Sequence, residues 1–148
     1  MKIEDEIEGH FRNEYHKGFI NIVFTSKRLS QAFISVLKKH KITEAQYNVL
    51  RILRGNKTAP SSIEYIKERM LDKNSDVSRI VDKLYGLHFI DRKECPNDRR
   101  QKSINVTEKG LNLLSKIDES EKQVDTFLKN LSASEIKTLN TILDKIRD

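Results

Sequence analysis

The chain has 148 residues and a mass of 17.3 kDa, which fits one domain with helical extensions and excludes two or more large domains. Hydrophobic residues make up 36% of the sequence and charged residues 34%, a balance that predicts a folded protein rather than a disordered one. The formal net charge of +6 favours an anionic partner, but net charge by itself identifies none.

The sequence also indicates where the protein works. Its longest apolar runs are far shorter than the roughly 20 residues that a transmembrane helix needs. The first residues, Met1–Glu6, turn acidic at once and lack the apolar core of a signal peptide. The single Cys95 excludes an internal disulfide. We therefore expect a cytoplasmic protein without a membrane partner.

The amino-terminal segment has the pattern of one long helix. Apolar residues recur at helical spacing from residue 5 to about residue 39, with no proline between them. Gly9 and Gly18 lie inside this predicted helix, and either could cause a kink or a break. About 35 residues would extend for roughly 50 Å, more than the core of so small a chain can cover, so the helix predicts a partner.

A capping signal marks three later helices, because a Ser or Thr is followed three residues on by Glu or Gln. The three pairs are Thr43–Gln46, Ser61–Glu64 and Ser132–Glu135. The first pair predicts a helix over residues 43–54. The second pair, followed by a polar break at residues 72–75, predicts a helix–turn–helix whose second helix begins near Ser75.

The carboxyl-terminal part of the chain predicts two more helices. Thr107 would cap the first, which has apolar residues at helical spacing as far as Leu131. Ser132 would cap the second, which extends to about Arg147. We predict that the apolar residues of this last helix face inward: Ile136, Leu139, Ile142, Leu143 and Ile146.

Between the helix–turn–helix and these helices lies a segment with the pattern of a β-hairpin. The predicted strands are residues 89–95 and 101–107, on either side of a basic tip at Pro96–Arg100. In the second strand Ile104 and Val106 alternate with Ser103 and Asn105, which is typical of a strand with one buried face.

Enzymatic chemistry has little support in the sequence. The five glycines are too widely spaced for a phosphate-binding loop. The four histidines include no pair at i, i+4 and no neighbouring cysteine, so the spacing of a zinc site is missing. We expect no catalytic residues, no cofactor and no metal.

Two short helices followed at once by a hairpin with a basic tip are the arrangement of a winged helix-turn-helix. A helix fits the major groove of DNA, and a hairpin beside it can place an Arg in the minor groove. More than half of such contacts go to phosphates, which position the protein without reading sequence. The candidate DNA-binding residues of the recognition helix are Ser75, Asp76, Ser78, Arg79 and Lys83.

From about Thr43 to Gly110 the chain resembles the MarR (multiple antibiotic resistance regulator) family of bacterial winged-helix transcription factors. The segments that carry the resemblance are "ITEAQYNVLRIL" at 42–53 and "VSRIVDKLYGLHFIDRKECPNDRRQKSINVTEKG" at 77–110. The resemblance implies a mainly α fold with a small β-hairpin wing. It implies a DNA-binding domain at residues 41–110, with dimerisation helices at residues 1–40 and 111–148.

The function that the resemblance implies is that of a homodimer on double-stranded DNA. Such a regulator binds a pseudo-palindromic operator, and a small aromatic or anionic effector releases it as a repressor. Family effector contacts vary too widely to be carried over to residues of this chain.

The resemblance also assigns roles in the wing. In the family an Asp-x-Arg motif carries an Arg into the minor groove while the Asp holds it, and the matching residues are Asp98 and Arg100. Arg99 and Lys102 are expected to meet phosphate. His88 stands where the family usually has glycine, so we expect the recognition helix to end without its left-handed cap.

Alternatives exist for several of these features. Aromatic residues at helical spacing could line an effector pocket, although packing is the commoner role: Phe11, Tyr15, Phe19, Phe24, Phe33 and Tyr47. Cys95 could sense oxidants, but the adjacent Glu94 disfavours a reactive thiolate. The winged fold could bind a protein instead of DNA, since residues 58–110 carry only 11 basic residues against 9 acidic ones.

Overall fold

The computed structural model describes residues 1–56 and 60–148, with the side chains of these residues except 99–101, 121, 123 and 124. The elements in this part of the chain are α1 (Ile3–Ile7), α2 (Glu14–Lys39), α3 (Glu44–Gly55), α4 (Ile63–Arg69), α5 (Val77–Gly86), β1 (Ile90–Cys95), β2 (Asp98–Val106), α6 (Glu108–Asp125) and α7 (Ala133–Arg147). The two strands form an antiparallel hairpin. This mainly helical fold with a hairpin confirms the predicted fold class. No helix within the described ranges is long and apolar enough to cross a membrane.

The hydrophobic core forms where the end of α2, the helices α3 to α5, the root of the hairpin and α6 meet. In α3, Val49 and Leu50 are fully buried and Leu53 is nearly so. Other fully buried side chains come from each surrounding element: Leu37, Ile66, Leu84, Ile104, Leu114 and Ile117. Burial on all these elements holds α5 and the hairpin in fixed positions around α3.

The start of α3 confirms one predicted capping box. The Gln46 N–H donates to Thr43 Oγ1 at 3.1 Å, and the Thr43 N–H donates to Gln46 Oε1 at 3.0 Å. One turn later the Tyr47 ring meets Phe33 edge-to-face, with ring centroids 5.2 Å apart. Packing, rather than an effector pocket, is therefore the role of these two aromatic residues.

The prediction of one helix from residue 5 to 39 is wrong. α1 ends at Ile7, and Glu8 takes a left-handed conformation with φ of 48°. A new helix, α2, then begins after Asn13. The Asn13 side chain is its N-cap and accepts from the His16 N–H at 2.9 Å. The break therefore falls beside Gly9, whereas Gly18 lies inside α2 without interrupting it.

Two ion pairs hold α1 against α2. Lys17 Nζ lies 2.5 Å from Glu4 Oε1, and Arg28 Nη1 lies 3.0 Å from Glu6 Oε1. The hydrogen bond between Lys17 and Glu4 lowers the pKa of the Glu4 carboxyl and raises the pKa of Lys17. These contacts keep the amino terminus on the surface of the long helix.

The N-cap of α4 lies one residue after the predicted one, Ser61. Ser61 is buried and forms an isolated β-bridge with Ile104, through hydrogen bonds of 3.0 Å and 2.8 Å. Because both backbone groups of Ser61 are used in this bridge, Ser62 caps α4 instead, with its hydroxyl accepting from the Tyr65 N–H at 3.0 Å. The bridge ties the segment before α4 to the hairpin.

The end of α5 corrects the expectation about its cap. His88 itself adopts the left-handed conformation, with φ of 61°. Its N–H donates to the Tyr85 carbonyl oxygen at 3.0 Å, and the Phe89 N–H donates to that of Leu84 at 3.1 Å. These two bonds form a Schellman motif, so the left-handed cap is present although the residue has a Cβ. The two hydrogen bonds and the packing that follows outweigh the strain at His88.

Replacing His88 by glycine is expected to raise the free energy of unfolding by about 0.5 to 1 kcal/mol, because glycine relieves the strain of the left-handed conformation at some cost in chain entropy. The His88 side chain is exposed, so little packing is lost. Urea denaturation at one fixed protein concentration measures the change. His88→Ala is the control: it removes the imidazole but keeps the Cβ, and equal stabilisation by both variants would contradict the assignment to strain.

The chain after α6 differs from the prediction of one helix as far as Leu131. α6 ends at Asp125, and a 3-10 turn follows at Thr126–Leu128. Tight turns of this kind commonly end an α-helix, and here the Leu131 N–H donates to the Leu128 carbonyl oxygen at 2.9 Å.

The predicted capping box of α7 is confirmed. The Glu135 N–H donates to Ser132 Oγ at 3.3 Å, and the Ser132 N–H donates to Glu135 Oε2 at 2.7 Å. Hydrogen bonds from Ser132 lower the pKa of the Glu135 carboxyl below its usual value. The start of this helix is thus specified by residues within it.

The prediction that the apolar residues of α7 face inward holds only in part for the single chain, in which Ile136, Leu139 and Leu143 are partly buried. No residue of α7 is buried, and Ile142 and Ile146 are 51% and 60% exposed. The physical reason is that the core closes among α2 to α6 without α7. The apolar stripe of α7 therefore lies on the surface of one chain.

Candidate nucleic-acid interface

The turn at residues 70–76, between α4 and α5, is held by a buried amide on α3. The Leu71 N–H donates to Asn48 Oδ1 at 2.8 Å, and Asn48 is only 9% exposed. Within the turn, Asp72 Oδ1 accepts from the Asn74 N–H at 2.9 Å. No local pattern in the sequence marks Asn48, because a single polar residue on a buried helix face has no characteristic neighbours. Its hydrogen bond fixes where α5 begins.

α5 buries one face and exposes the other. Val77, Val81 and Leu84 are buried in the core. The predicted contact residues Ser78, Arg79 and Lys83 are all exposed. Arg79 and Lys83 lie one helical turn apart, and neither has an ion-pair partner among the described residues. Their positive charges are therefore available to phosphate groups.

The other two residues predicted on the recognition helix have structural roles at its start. Asp76 is the N-cap of α5, and its Oδ1 accepts from the Arg79 N–H at 3.2 Å. Ser75 is half-buried, and its N–H donates to the Asp72 carbonyl oxygen at 3.2 Å. Both contacts hold the first turn of α5, and contact of either residue with DNA stays a prediction.

The hairpin beside α5 is the wing. Its ladder pairs Ile90 with Val106 and Glu94 with Lys102, and the register then shifts so that Cys95 pairs with Asp98. The tip is therefore Pro96 and Asn97, and the prediction of a five-residue tip is wrong. The register shift is the reason. It lets β2 begin at Asp98, whereas a regular ladder would have left the residues from Asp98 to Arg100 in the tip.

The predicted wing residues all belong to β2. Asp98 and Lys102 are exposed, and Lys102 pairs with Glu94 across the ladder. The side chains of Arg99 and Arg100 lie outside the described part of the structure. The DNA contacts assigned to these four residues stay predictions.

A contact between wing and recognition helix was not predicted. Arg92 on β1 forms an ion pair with Asp82 on α5, and its guanidinium carbon lies 4.2 Å from the centroid of the Tyr85 ring. Opposite charges ten residues apart, on a helix and a strand, form no recognisable local pattern. This contact joins the two elements that are expected to reach DNA.

The comparisons with known proteins agree with this geometry. The model of the MarR family matches residues 42–102. The transcriptional regulator MhqR of Bacillus subtilis is 27% identical over 126 residues, which cover 80% of this chain and 86% of MhqR. Over residues 42–102 the chain thus has the sequence of a MarR-family domain. MhqR and the Pseudomonas putida repressor IacR, a second relative at 27% identity, are transcriptional regulators and not enzymes.

Solved structures of MarR-like regulators have the same fold. A mutant of Escherichia coli MarR complexed with operator DNA superposes with a TM-score of 0.79 at 24% identity, over 93% of this chain and 99% of that chain. Bordetella bronchiseptica BpsR, whose DNA binding is regulated by 6-hydroxynicotinic acid, gives a TM-score of 0.70 at 20% identity, over 86% of this chain and 99% of that one.

A cavity of about 820 Å³ opens between α2, the start of α3 and the turn before α5. Polar lining residues include Ser30 and Glu44, whose side chains share a hydrogen bond of 2.9 Å, and Asp72 and Ser75 from the turn. None of the aromatic residues considered above lines the described wall of this cavity. A molecule in the cavity would contact the segment that positions α5.

Proposed function

We propose that the protein is a homodimeric repressor that binds a specific pseudo-palindromic operator and is released by a small molecule. The observation that carries this proposal is the exposed cationic face of α5 beside the wing. Arg79 and Lys83 lie on that face without ion-pair partners among the described residues, and Lys102 is exposed on β2. Two cationic elements side by side match adjacent grooves of one DNA duplex.

The proposed roles of α5 and the wing follow from the different chemistry of the major and minor grooves of DNA. α5 would enter the major groove, where Ser78 and Arg79 can reach base edges and Lys83 a phosphate. The wing would place Arg100 in the minor groove, with Asp98 holding it, while Arg99 and Lys102 meet phosphate. The carboxylate of Asp76 caps α5 and keeps the helix start rigid.

The assembly proposed is a dimer of the same chain. Residues 41–110 would form the DNA-binding domain, and residues 1–40 and 111–148 would supply the dimer helices. Exposed apolar side chains on α2 and α7 support this, since Phe19 is 63% and Ile146 60% exposed. A two-fold dimer would present its recognition helices about 34–36 Å apart, one turn of DNA.

We place the effector in the cavity between α2 and the turn before α5. The family resemblance favours a small aromatic or anionic compound. Its binding would act on Asp72 and Ser75, and so on the position of α5. A ligand changes the operator affinity only by as much as it prefers the released conformation over the DNA-binding one.

The test is selection of binding sites from a random duplex library, with wild type and Arg100→Ala in parallel. Wild type is expected to enrich an inverted repeat with half-sites about 10 base pairs apart. Arg100→Ala is expected to weaken specific binding by about 1–3 kcal/mol, or about 5- to 150-fold, with an unchanged circular dichroism spectrum.

Lys102→Ala is the matched control in the same strand. It is expected to weaken all sequences alike and to lower the salt dependence of binding, as loss of a phosphate contact does. Selection that enriches no sequence with wild type, at moderate salt and after removal of bound small molecules, would contradict the proposal and favour a protein partner for the winged fold.

A further inference from the structure

Arg92 lies at the point where the wing leaves the body of the protein. It pairs across the ladder with Ile104, which is fully buried and also bridges to Ser61. Up to this rung the hairpin therefore has a third segment beside it and a core beneath it. Beyond it, from Lys93 and Ser103 to the tip, the wing consists of two strands. A two-stranded hairpin without further support is only marginally ordered.

The Arg92 side chain reaches from this rung to α5. Its guanidinium pairs with the Asp82 carboxylate and lies over the Tyr85 ring at 4.2 Å. The side chain is 22% exposed, although Asp82 is 65% exposed. Asp82 binds an edge of the planar guanidinium and Tyr85 covers one of its faces. Both the direction and the tilt of the Arg92 guanidinium are therefore fixed.

We propose that Arg92 is a positioning residue that sets the wing at the angle at which it reaches the minor groove while α5 occupies the major groove. This inference rests on the proposed function. Without the clamp formed by Arg92, Asp82 and Tyr85, the two-stranded part of the wing pivots at the Arg92–Ile104 rung. The predicted wing contacts Asp98, Arg100 and Lys102 all lie beyond that pivot.

Arg92 could have two simpler roles, a direct contact with a DNA phosphate or neutralisation of Asp82, and each would require a different arrangement of its side chain. A direct phosphate contact needs an accessible guanidinium, whereas that of Arg92 is mostly covered and already paired. Neutralisation of Asp82 would require only the positive charge of Arg92. It would not require the contact between the Arg92 guanidinium and the Tyr85 ring. Because Asp82 is exposed, the ion pair contributes little to folding, so variants of Arg92 are expected to fold.

The experiment compares Arg92→Ala, Arg92→Ala with Asp82→Ala, and Lys93→Ala, on the operator selected by wild type. Lys93→Ala is the control, because it removes the same charge from the next residue of β1. Arg92→Ala is expected to weaken binding about tenfold and by no more than Arg100→Ala, since the clamp acts through the wing. Base preference is expected to fall only at the positions where Arg100→Ala loses it, with unchanged salt dependence.

Three results would overturn the inference. Recovery of affinity in the double variant would show that Arg92 only neutralises Asp82. A smaller salt dependence with intact base preference would show a phosphate contact. Unchanged affinity and preference in Arg92→Ala would show no role.

Hydrogen–deuterium exchange of the free protein separates this inference from the proposed function, because it needs no DNA. Amides of the wing beyond the Arg92–Ile104 rung are expected to exchange faster in Arg92→Ala than in Lys93→Ala. Equal exchange in the two variants would contradict the clamp. Failure of wild type to select an operator would contradict the proposed function itself.

Discussion

Gly110→Ala is expected to lower the free energy of unfolding by about 3 kcal/mol, a large part of the stability of a domain of this size. A Cβ at this position would lie 2.4 Å from the Phe89 carbonyl oxygen and 2.8 Å from Val106 Cγ2. The first of these atoms belongs to the backbone, so no change of rotamer relieves the contact. Urea denaturation at a fixed protein concentration measures the loss.

The backbone around Gly110 has little freedom to move. Thr107 accepts from the Gly110 N–H at 3.1 Å through its hydroxyl, which itself donates to the His88 carbonyl oxygen at 2.8 Å. The Thr107 N–H donates to the Phe89 carbonyl oxygen at 3.0 Å. The end of α5, the root of the wing and the start of α6 are therefore joined at this point, and displacement of one strains the others.

Gly55→Ala is the matched control for this prediction. Gly55 also lies in a helix, at the end of α3, and among the described residues no heavy atom beyond its chain neighbours and its own helix backbone is within 4 Å of a Cβ added there. Alanine has the higher helix propensity, so this variant is expected to be as stable as wild type or up to about 1 kcal/mol more stable. Similar effects of the two substitutions would show that the contact at Gly110 is not the cause.

Ile142→Glu with Ile146→Glu is expected to convert the proposed dimer into a monomer and to weaken operator binding about 100-fold or more. The two residues lie one turn apart on α7 and are 51% and 60% exposed in the single chain. A helix of this length is marginal in water without packing, so its apolar stripe needs a partner. A second chain would bury the stripe, and two carboxylates in that contact would oppose association.

The loss of DNA affinity follows from the loss of linkage between half-sites. In a dimer, binding of one winged domain holds the other near its own half-site, which raises overall affinity by about 10²–10⁴. Sedimentation equilibrium measures the mass, and fluorescence anisotropy with an operator duplex measures the affinity. The control adds the same two charges on the opposite face of α7, as Ser134→Glu with Thr141→Glu. A double isoleucine variant that stays dimeric would exclude α7 from the dimer contact.

The sequence predicted the helices whose signals are local. The capping boxes at Thr43 and Ser132 each involve residues within one helical turn, so the pattern and the structure agree. The apolar spacing of α5 likewise determined which face is buried, and Ser78, Arg79 and Lys83 lie on the exposed face as expected. Short-range signals are readable because the interacting groups are neighbours in the chain.

Two of the wrong predictions concern helix ends at which a local preference was outweighed. Ser61 has the sequence of a cap, but its bridge to Ile104 moves the cap to Ser62. His88 lacks the freedom of glycine, but the Schellman hydrogen bonds and the packing after it impose the left-handed conformation. At Ser61 a tertiary contact outweighed the local preference, whereas at His88 hydrogen bonds at the end of α5 did so together with the packing after it.

The sequence by itself predicted a winged-helix DNA-binding fold that resembles the MarR family, because helix caps, apolar spacing and the motif around Asp98 each lie in consecutive residues. Only the tertiary structure decided how α5 and the wing are held in position. Asn48 fixes the turn before α5, and Arg92 joins the wing to Asp82 and Tyr85. Each of these contacts links segments that folding alone brings together, so no local pattern encodes it.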